Sequence, residues 1–305
     1  MKRKLVTQGK KALTVTLPIN WIRDHNLNSG DEIEISPLDN DLRISTFSNK
    51  TTIKSTTINI STENARNCSY QIRYALAQAY DAGYNEIIIK SELLPNLSTI
   101  QKEITTFTGL EIVSAEKEKL IIRCFLNDHD TPVDLLITKM IQVSKTIAET
   151  LKKEWNQTKL KEITELFNMN LRLSNHCRRT IHQNKYGDHK TYAYYYLASR
   201  LERLSANLFY LGKKIIKLNP KKSDLLEELF EIQNKIYECF LKKDFNEIMK
   251  LQNKLYDLSR NTVEADAIKE TTKKIDPVIL IHYYSAIMNL LSITKSLQRI
   301  TLELK

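Results

Sequence analysis

The strongest constraint on this chain is the helical spacing of its apolar residues between positions 131 and 303. Apolar side chains recur three and four positions apart, as at Leu136, Met140, Val143 and Ile147. This spacing places them on one face of an α-helix, and that face must pack against other helices to leave water. The pattern predicts six long helices, at 132–155, 158–183, 190–218, 223–242, 245–262 and 276–303.

The six predicted helices divide into two sets of three, in segments 131–219 and 222–305. Short connections favour helices that pack side by side in opposite directions. We therefore expect a pair of three-helix bundles. Their similar lengths are typical of a distant internal duplication.

The segment 1–48 has a different pattern, built from short alternating runs and turn residues. It predicts a strand at 12–17 ended by Pro18, a short helix at 19–26, and strands at 32–36 and 42–45. A domain this small, with few large apolar side chains, buries little surface by itself. We expect it to need a second copy of the chain.

Strands and helices alternate between residues 55 and 127. The predicted strands are 57–60, 86–90, 110–113 and 120–125, and the predicted helices are 62–82 and 95–107. The first of these helices is expected to start at an N-cap, Thr62, and to end at Gly83. The order predicts a small α/β domain, which makes the whole chain multi-domain and mostly α-helical.

Positive charge is concentrated at the start of the chain. The net charge of the 305 residues is +10, and residues 1–25 hold six basic residues against the single acid Asp24, which gives +5. Basic side chains attract nucleic-acid phosphates by releasing counterions. The candidate DNA-binding residues are Arg3, Lys4, Lys10, Lys11 and Arg23.

Several classes of function find no support in the sequence. The six glycines are scattered, so no glycine-rich phosphate loop exists, and the four cysteines are too far apart for a metal or redox pair. No catalytic spacing is recognisable, so we expect neither an enzyme nor a cofactor. Without a signal-peptide pattern or a long apolar run, we expect a cytoplasmic protein with no membrane insertion.

Residues 9–35 carry a specific pattern of punctuating residues. The segment 9–22 reads Gly-Lys-Lys-Ala-Leu-Thr-Val-Thr-Leu-Pro-Ile-Asn-Trp-Ile, and 27–35 reads Leu-Asn-Ser-Gly-Asp-Glu-Ile-Glu-Ile. The strand ending in Leu-Pro, the helix with an aromatic residue and the Gly-Asp turn resemble the SpoVT–AbrB family. The resemblance implies a swapped-hairpin module that forms intertwined dimers and binds DNA.

The helical region is similar to the PhoU family in helix number and length. Its closest local match is Arg-Leu-Glu-Arg-Leu-Ser-Ala-Asn at 200–207, where that family tends to read Leu-Glu-Arg-Ile-Gly-Asp-His. An AbrB-like module followed by PhoU-like helices resembles the archaeal phosphate-uptake regulators. The partner class that this resemblance implies is a phosphate-transport ATPase or a sensor kinase.

The PhoU resemblance also implies a metal cluster, but this sequence departs from its ligand pattern. Glu202 is kept, whereas Ala206 and Asn170 stand where the family has carboxylates. A methyl group and a neutral amide are poor ligands for a hard cation. We therefore expect the metal site to be lost or much weakened, and we assign no metal ligands.

Two further clusters on the predicted helices have ordinary interpretations. The adjacent Arg178 and Arg179 could bind an anion, but a solvated helix end is the preferred interpretation. The tyrosines at positions 192, 194, 195 and 196 could stack on bases, but packing at a core or interface is preferred.

Three functions remain open on the sequence. The first is a DNA-binding transcription regulator of phosphate uptake, acting as a homodimer or higher homo-oligomer. The second is a non-enzymatic adaptor that binds a phosphate transporter or sensor kinase and uses the N-terminal module only to dimerise. The third, an antitoxin-like regulator of its own operon, fits poorly with so long a helical region.

Overall fold

A computed structural model describes residues 2–9, 12–38, 41–46, 53–61, 64–126, 131–152, 155–184, 188–218, 224–263 and 276–302. The chain forms two compact units, one over residues 1–52 and the other over residues 53–305. The described part is mostly helical, with a small β region at the start of the chain, as the sequence predicts.

The first unit consists of two antiparallel hairpins and a short helix. In the first hairpin, β1 (Val6–Gln8) pairs with β2 (Ala12–Thr14), and Gly9 takes the left-handed backbone conformation (φ +72°) at the turn. The helix α1 (Ile19–Asp24) follows the extended Pro18. In the second hairpin, β3 (Ile33–Leu38) pairs with β4 (Asp41–Thr46). The two hairpins form separate two-stranded sheets.

The second unit begins with an α/β part, in the predicted order of elements. The elements are β5 (Ser55–Asn59), α2 (Ala65–Asp81), β6 (Glu86–Lys90), α3 (Leu97–Ile104), β7 (Leu110–Ala115) and β8 (Lys119–Cys124). The strands lie in the order β5-β6-β8-β7, with β5 and β6 parallel and the other pairs antiparallel.

The ends of α2 follow from local hydrogen-bond chemistry. The side chain of Asn64 accepts from the backbone N–H of Asn67, so Asn64 is the N-cap and the prediction of Thr62 was wrong. At the other end, Gly83 has φ +78°, a conformation that favours glycine and closes the helix where the sequence predicts.

Six helices make up the rest of the second unit. They are α4 (Val133–Lys152), α5 (Gln157–Asn184), α6 (Asp188–Leu218), α7 (Asp224–Lys242), α8 (Phe245–Val263) and α9 (Pro277–Thr301). Their bounds lie within a few residues of the predicted ones. The apolar residues form one continuous core from Val133 to Leu297, because α4 packs on α7 and α6 packs on α9 across the boundary between the two sets of three.

The helix α9 is more apolar than the sequence analysis recognised. Its 25 residues are long and apolar enough, by composition, to cross a membrane. Half of its most apolar window is buried against the other helices, as in the core helix of a helical bundle.

Candidate functional site

The described members of the basic cluster lie on the surface of the first unit. Arg3 and Lys4 precede β1, Arg23 lies in the last turn of α1, and all three side chains are exposed. Lys10 and Lys11 lie outside the described residues. The three described side chains are therefore accessible to a phosphate backbone.

Apolar side chains of the first unit are also exposed. None of its residues with a described side chain is buried, and Trp21 and Ile22 are only half-buried. Leu13 is 63% exposed and Ile35 is 54% exposed. The other large exposed apolar residues of this unit are Leu5, Val6, Val15, Ile19 and Leu42.

Four of those exposed residues lie on the hairpin strands, namely Val6 on β1, Leu13 on β2, Ile35 on β3 and Leu42 on β4. Ile33 and Ile35 are two positions apart on β3 and so point to the same side of that strand. Ile35 lies directly opposite Ile44 in the second hairpin. An apolar sheet face left in water is unfavourable by roughly 25 cal/mol per Å².

A second polar site lies in the second unit, around Glu202 on α6. Arg178 on α5 donates from Nη1 to Glu202 Oε2 at 2.7 Å, and the Ser174 hydroxyl donates to the same oxygen at 2.8 Å. Arg178 also donates from Nε to Asp81 Oδ2 at 2.9 Å. One guanidinium thus bridges carboxylates from the α/β part and the helical part.

The charges at this bridge are coupled. Burial raises the pKa of Asp81 in spite of the neighbouring Arg178 guanidinium. Burial opposes the charge on Arg178, yet the carboxylates of Asp81 and Glu202 together raise its pKa above the ordinary value. Arg178 therefore stays charged and serves as the counterion for both carboxylates.

Asn170 lies about two turns before Arg178 on the same helix and is fully buried. Its Nδ2 donates to Ser144 Oγ at 3.0 Å, to Ser205 Oγ at 2.5 Å and to the carbonyl of Met140 at 3.3 Å. The side chain therefore joins α4, α5 and α6 as a neutral hydrogen-bond donor.

These residues do not fit the metal cluster that the PhoU resemblance implies. A guanidinium already occupies Glu202 Oε2, Asn170 presents its amide N–H groups to its neighbours, and Ala206 has no ligand atom. Among the described residues, no three His, Cys, Asp or Glu side chains come together as a candidate metal site.

Restoring a carboxylate at position 170 is expected to destabilise the fold and to leave metal binding absent. Asn170→Asp would place a buried negative charge beside the Met140 carbonyl, at a cost of about 1–3 kcal/mol in the free energy of unfolding. Thermal unfolding with and without Mn²⁺ measures both effects. Stabilisation of Asn170→Asp by Mn²⁺ would contradict the prediction, and Asn207→Asp, on a half-buried position of α6, is the control.

Neither arginine of the adjacent pair on α5 is exposed, so the expected solvated helix end was wrong. Arg179 is fully buried, lies over the Tyr80 ring at 4.8 Å, and donates from Nη1 to the carbonyls of Tyr80 and Tyr84 at 3.0 and 2.9 Å. The Tyr80 carbonyl lies in the last turn of α2 and the Tyr84 carbonyl just beyond that helix, at the helix end that carries negative partial charge.

A third residue of α5 contacts the α/β part in the same way. Asn175 Nδ2 donates to the carbonyl of Thr106, just beyond α3, at 2.7 Å. Positions 175, 178 and 179 therefore form one stripe of α5, which we call the docking stripe. Its spacing of three and four in a polar setting is the sequence signal that could have identified it.

The tyrosine cluster at the start of α6 divides between the core and the surface. Tyr194 is buried and donates from its hydroxyl to Asp134 Oδ1 at 2.5 Å, as packing predicts. Tyr192, Tyr195 and Tyr196 are exposed, so they do not pack in the core, and packing at an interface stays a prediction for them. Tyr195 reaches Asp81 Oδ2 at 3.4 Å, beside the Arg178 bridge.

Comparison of the chain with protein-family models, with curated proteins and with solved structures gave no match.

Proposed function

We propose that this protein is a dimeric DNA-binding transcription regulator whose first unit binds DNA. The observation that carries the proposal is that basic and apolar side chains are both exposed in that unit. Arg3, Lys4 and Arg23 are accessible, while no described residue of the unit is buried. The sequence resemblance to SpoVT–AbrB modules supports the same assignment.

A second copy of the chain is the partner that best covers the exposed apolar faces. Two hairpins that bury no residue with a described side chain lack a core of their own, and a domain of about fifty residues is marginal even with one. Interleaving the hairpins of two chains would give each apolar face a complementary face. A symmetric dimer also places two copies of the basic residues on one side, which suits a palindromic DNA site.

The helical part of the second unit is proposed to sense a signal connected with phosphate uptake, through a phosphate-transport ATPase or a sensor kinase. This step depends on the resemblance to PhoU in helix number and length and in the stretch around Glu202. Because Arg178 already occupies Glu202 Oε2 and neither Asn170 nor Ala206 offers a carboxylate, the proposed sensing uses protein or small-molecule contacts and no metal cluster.

DNA binding is tested by fluorescence anisotropy on the upstream region of the gene and on a scrambled duplex, across a series of salt concentrations. We expect tighter binding to the upstream region. The logarithm of the binding constant falls linearly with the logarithm of the salt concentration. Changing Lys10 and Lys11 to glutamine is expected to make that slope shallower by about 1 for each phosphate contact that is lost.

The chain offers a matched control for this double substitution. Lys242 and Lys243 form another adjacent pair, exposed and in the second unit, and changing them to glutamine removes the same charge. Equal loss of DNA affinity in both double variants would mean that net charge alone determines the affinity, without a specific contact from Lys10 or Lys11. Binding without preference for the upstream region would favour the adaptor, in which the first unit only dimerises.

A further inference from the structure

A cleft of about 280 Å³ opens in the second unit, where the α/β part meets α5 and α6. Its aromatic walls are Tyr74 on α2, Phe107 beyond α3 and Phe167 on α5. Its charged groups are Arg73, Arg178 and Glu202. Small-molecule sites occur preferentially at such junctions between packed parts of a protein.

The acidic group of the cleft is Glu202, which has one carboxylate oxygen, Oε1, for a ligand. The hydrogen bonds that Glu202 receives from the described residues Ser174 and Arg178 both end at Oε2. Its side chain is 27% exposed, so Oε1 is available to a donor that enters the cleft. A carboxylate that is already held in place by a guanidinium is a fixed acceptor for an ammonium group.

The basic side of the cleft is Arg73, whose guanidinium is only loosely engaged. Its Nε lies 3.9 Å from Glu103 Oε2, and its side chain is 45% exposed. The rings of Tyr70 and Tyr74 lie 5.7 and 5.6 Å from its guanidinium carbon. The two rings position the guanidinium while leaving its paired N–H groups for a carboxylate, the geometry that arginine binds best.

Two of the aromatic walls, Phe107 and Phe167, are held in place by their neighbours. Phe167 stacks on Phe209 with ring centroids 5.1 Å apart, and Phe107 lies against Tyr80 at 5.2 Å. Fixed rings can pack a flat or branched apolar group with little loss of side-chain entropy.

We propose that this cleft binds a small zwitterion with an apolar side chain, of the class of a free hydrophobic amino acid. The ligand carboxylate would pair with Arg73, its ammonium group with Glu202 Oε1, and its side chain with the rings of Phe107 and Phe167. Because the cleft is lined from both the α/β part and the helices, an occupant would link the two. This site goes beyond the proposed regulator function and does not depend on it.

The test is isothermal titration calorimetry of the full chain, without DNA, using L-phenylalanine as the probe. Phenethylamine lacks the carboxylate and phenylpropionate lacks the ammonium group. We expect a Kd of about 1 mM or tighter for L-phenylalanine, and binding about tenfold weaker for each analogue, since each loses one charge-assisted contact. Equal binding of all three, or no saturable binding of L-phenylalanine, would overturn the proposal.

Arg73→Gln separates the proposed contact from general apolar binding. It is expected to weaken L-phenylalanine about tenfold and to leave phenethylamine unchanged, because only the former has a carboxylate. Arg172→Gln, on an exposed position of α5 outside the cleft lining, is the control for charge. Circular dichroism confirms that the variants are folded, and unchanged L-phenylalanine binding by a folded Arg73→Gln protein would contradict the assignment.

Discussion

Replacing Arg178 with methionine is expected to lower the free energy of unfolding by about 3–5 kcal/mol. The guanidinium holds Asp81 Oδ2 at 2.9 Å and Glu202 Oε2 at 2.7 Å, and its side chain is only 12% exposed. Methionine keeps the apolar length of the side chain but leaves both carboxylates without their shared counterion. Urea unfolding followed by circular dichroism measures the loss.

The pH dependence of this loss identifies its cause. Burial already raises the pKa of Asp81, and removal of Arg178 would raise it further. A carboxyl group whose pKa is higher in the folded state costs stability above that pKa, and the cost disappears as the pH falls towards the unfolded value. The penalty of Arg178→Met is therefore expected to be largest at neutral pH and to shrink on acidification.

Arg172→Met provides the matched control, because Arg172 lies on the same helix and is exposed. Its effect is expected to stay within about 0.5 kcal/mol. Adding Asp81→Asn to Arg178→Met removes one of the two carboxylates that have lost their counterion, and is expected to recover part of the free energy of unfolding. A loss below about 1 kcal/mol for Arg178→Met, with no change between neutral and acidic pH, would contradict a structural role for the bridge.

The sequence predicts the helices well because their burial is periodic. Apolar residues that recur every three or four positions predict the bounds of α4 to α9 within a few residues. The apolar run followed and preceded by turn residues predicts the bounds of β6. Periodicity is a local property, so it does not reveal which helices meet across a boundary. It therefore does not predict the contacts of α4 with α7 and of α6 with α9, which join the six helices in one core.

The Arg178 bridge shows where sequence reasoning fails at the level of a site. Two adjacent arginines on a helix usually point to solvent, because burial of a charge is costly unless it is paired. Here the partners of Arg178 and Arg179 are Asp81 and the carbonyls that end α2, about one hundred positions earlier in the chain. The spacing of three and four marks a stripe on α5, but only the packing of α2 on α5 brings these partners together, and the spacing does not identify the partners.

The largest effect expected on assembly is that of Ile35→Lys in the full chain. Ile35 is 54% exposed, lies on β3 opposite Ile44, and belongs to a unit with no buried residue among its described side chains. In the proposed dimer it would be covered by the partner copy, and a lysine there would bury an unpaired charge. We expect the dimer Kd to rise by at least about 30-fold, which corresponds to an interface hot spot of about 2 kcal/mol.

Ile281→Lys makes the same chemical change in the second unit and is its control. Ile281 is 62% exposed on α9, so the two substitutions start from similar exposure. Sedimentation equilibrium across a concentration series is expected to show dissociation only for Ile35→Lys, and DNA affinity should fall with it because half of a palindromic site is then left unbound. Dissociation by Ile281→Lys alone would place the dimer interface on α9 instead. If the unsubstituted protein is already a monomer and Ile35→Lys does not change its sedimentation, the exposed hairpin faces would bind another partner.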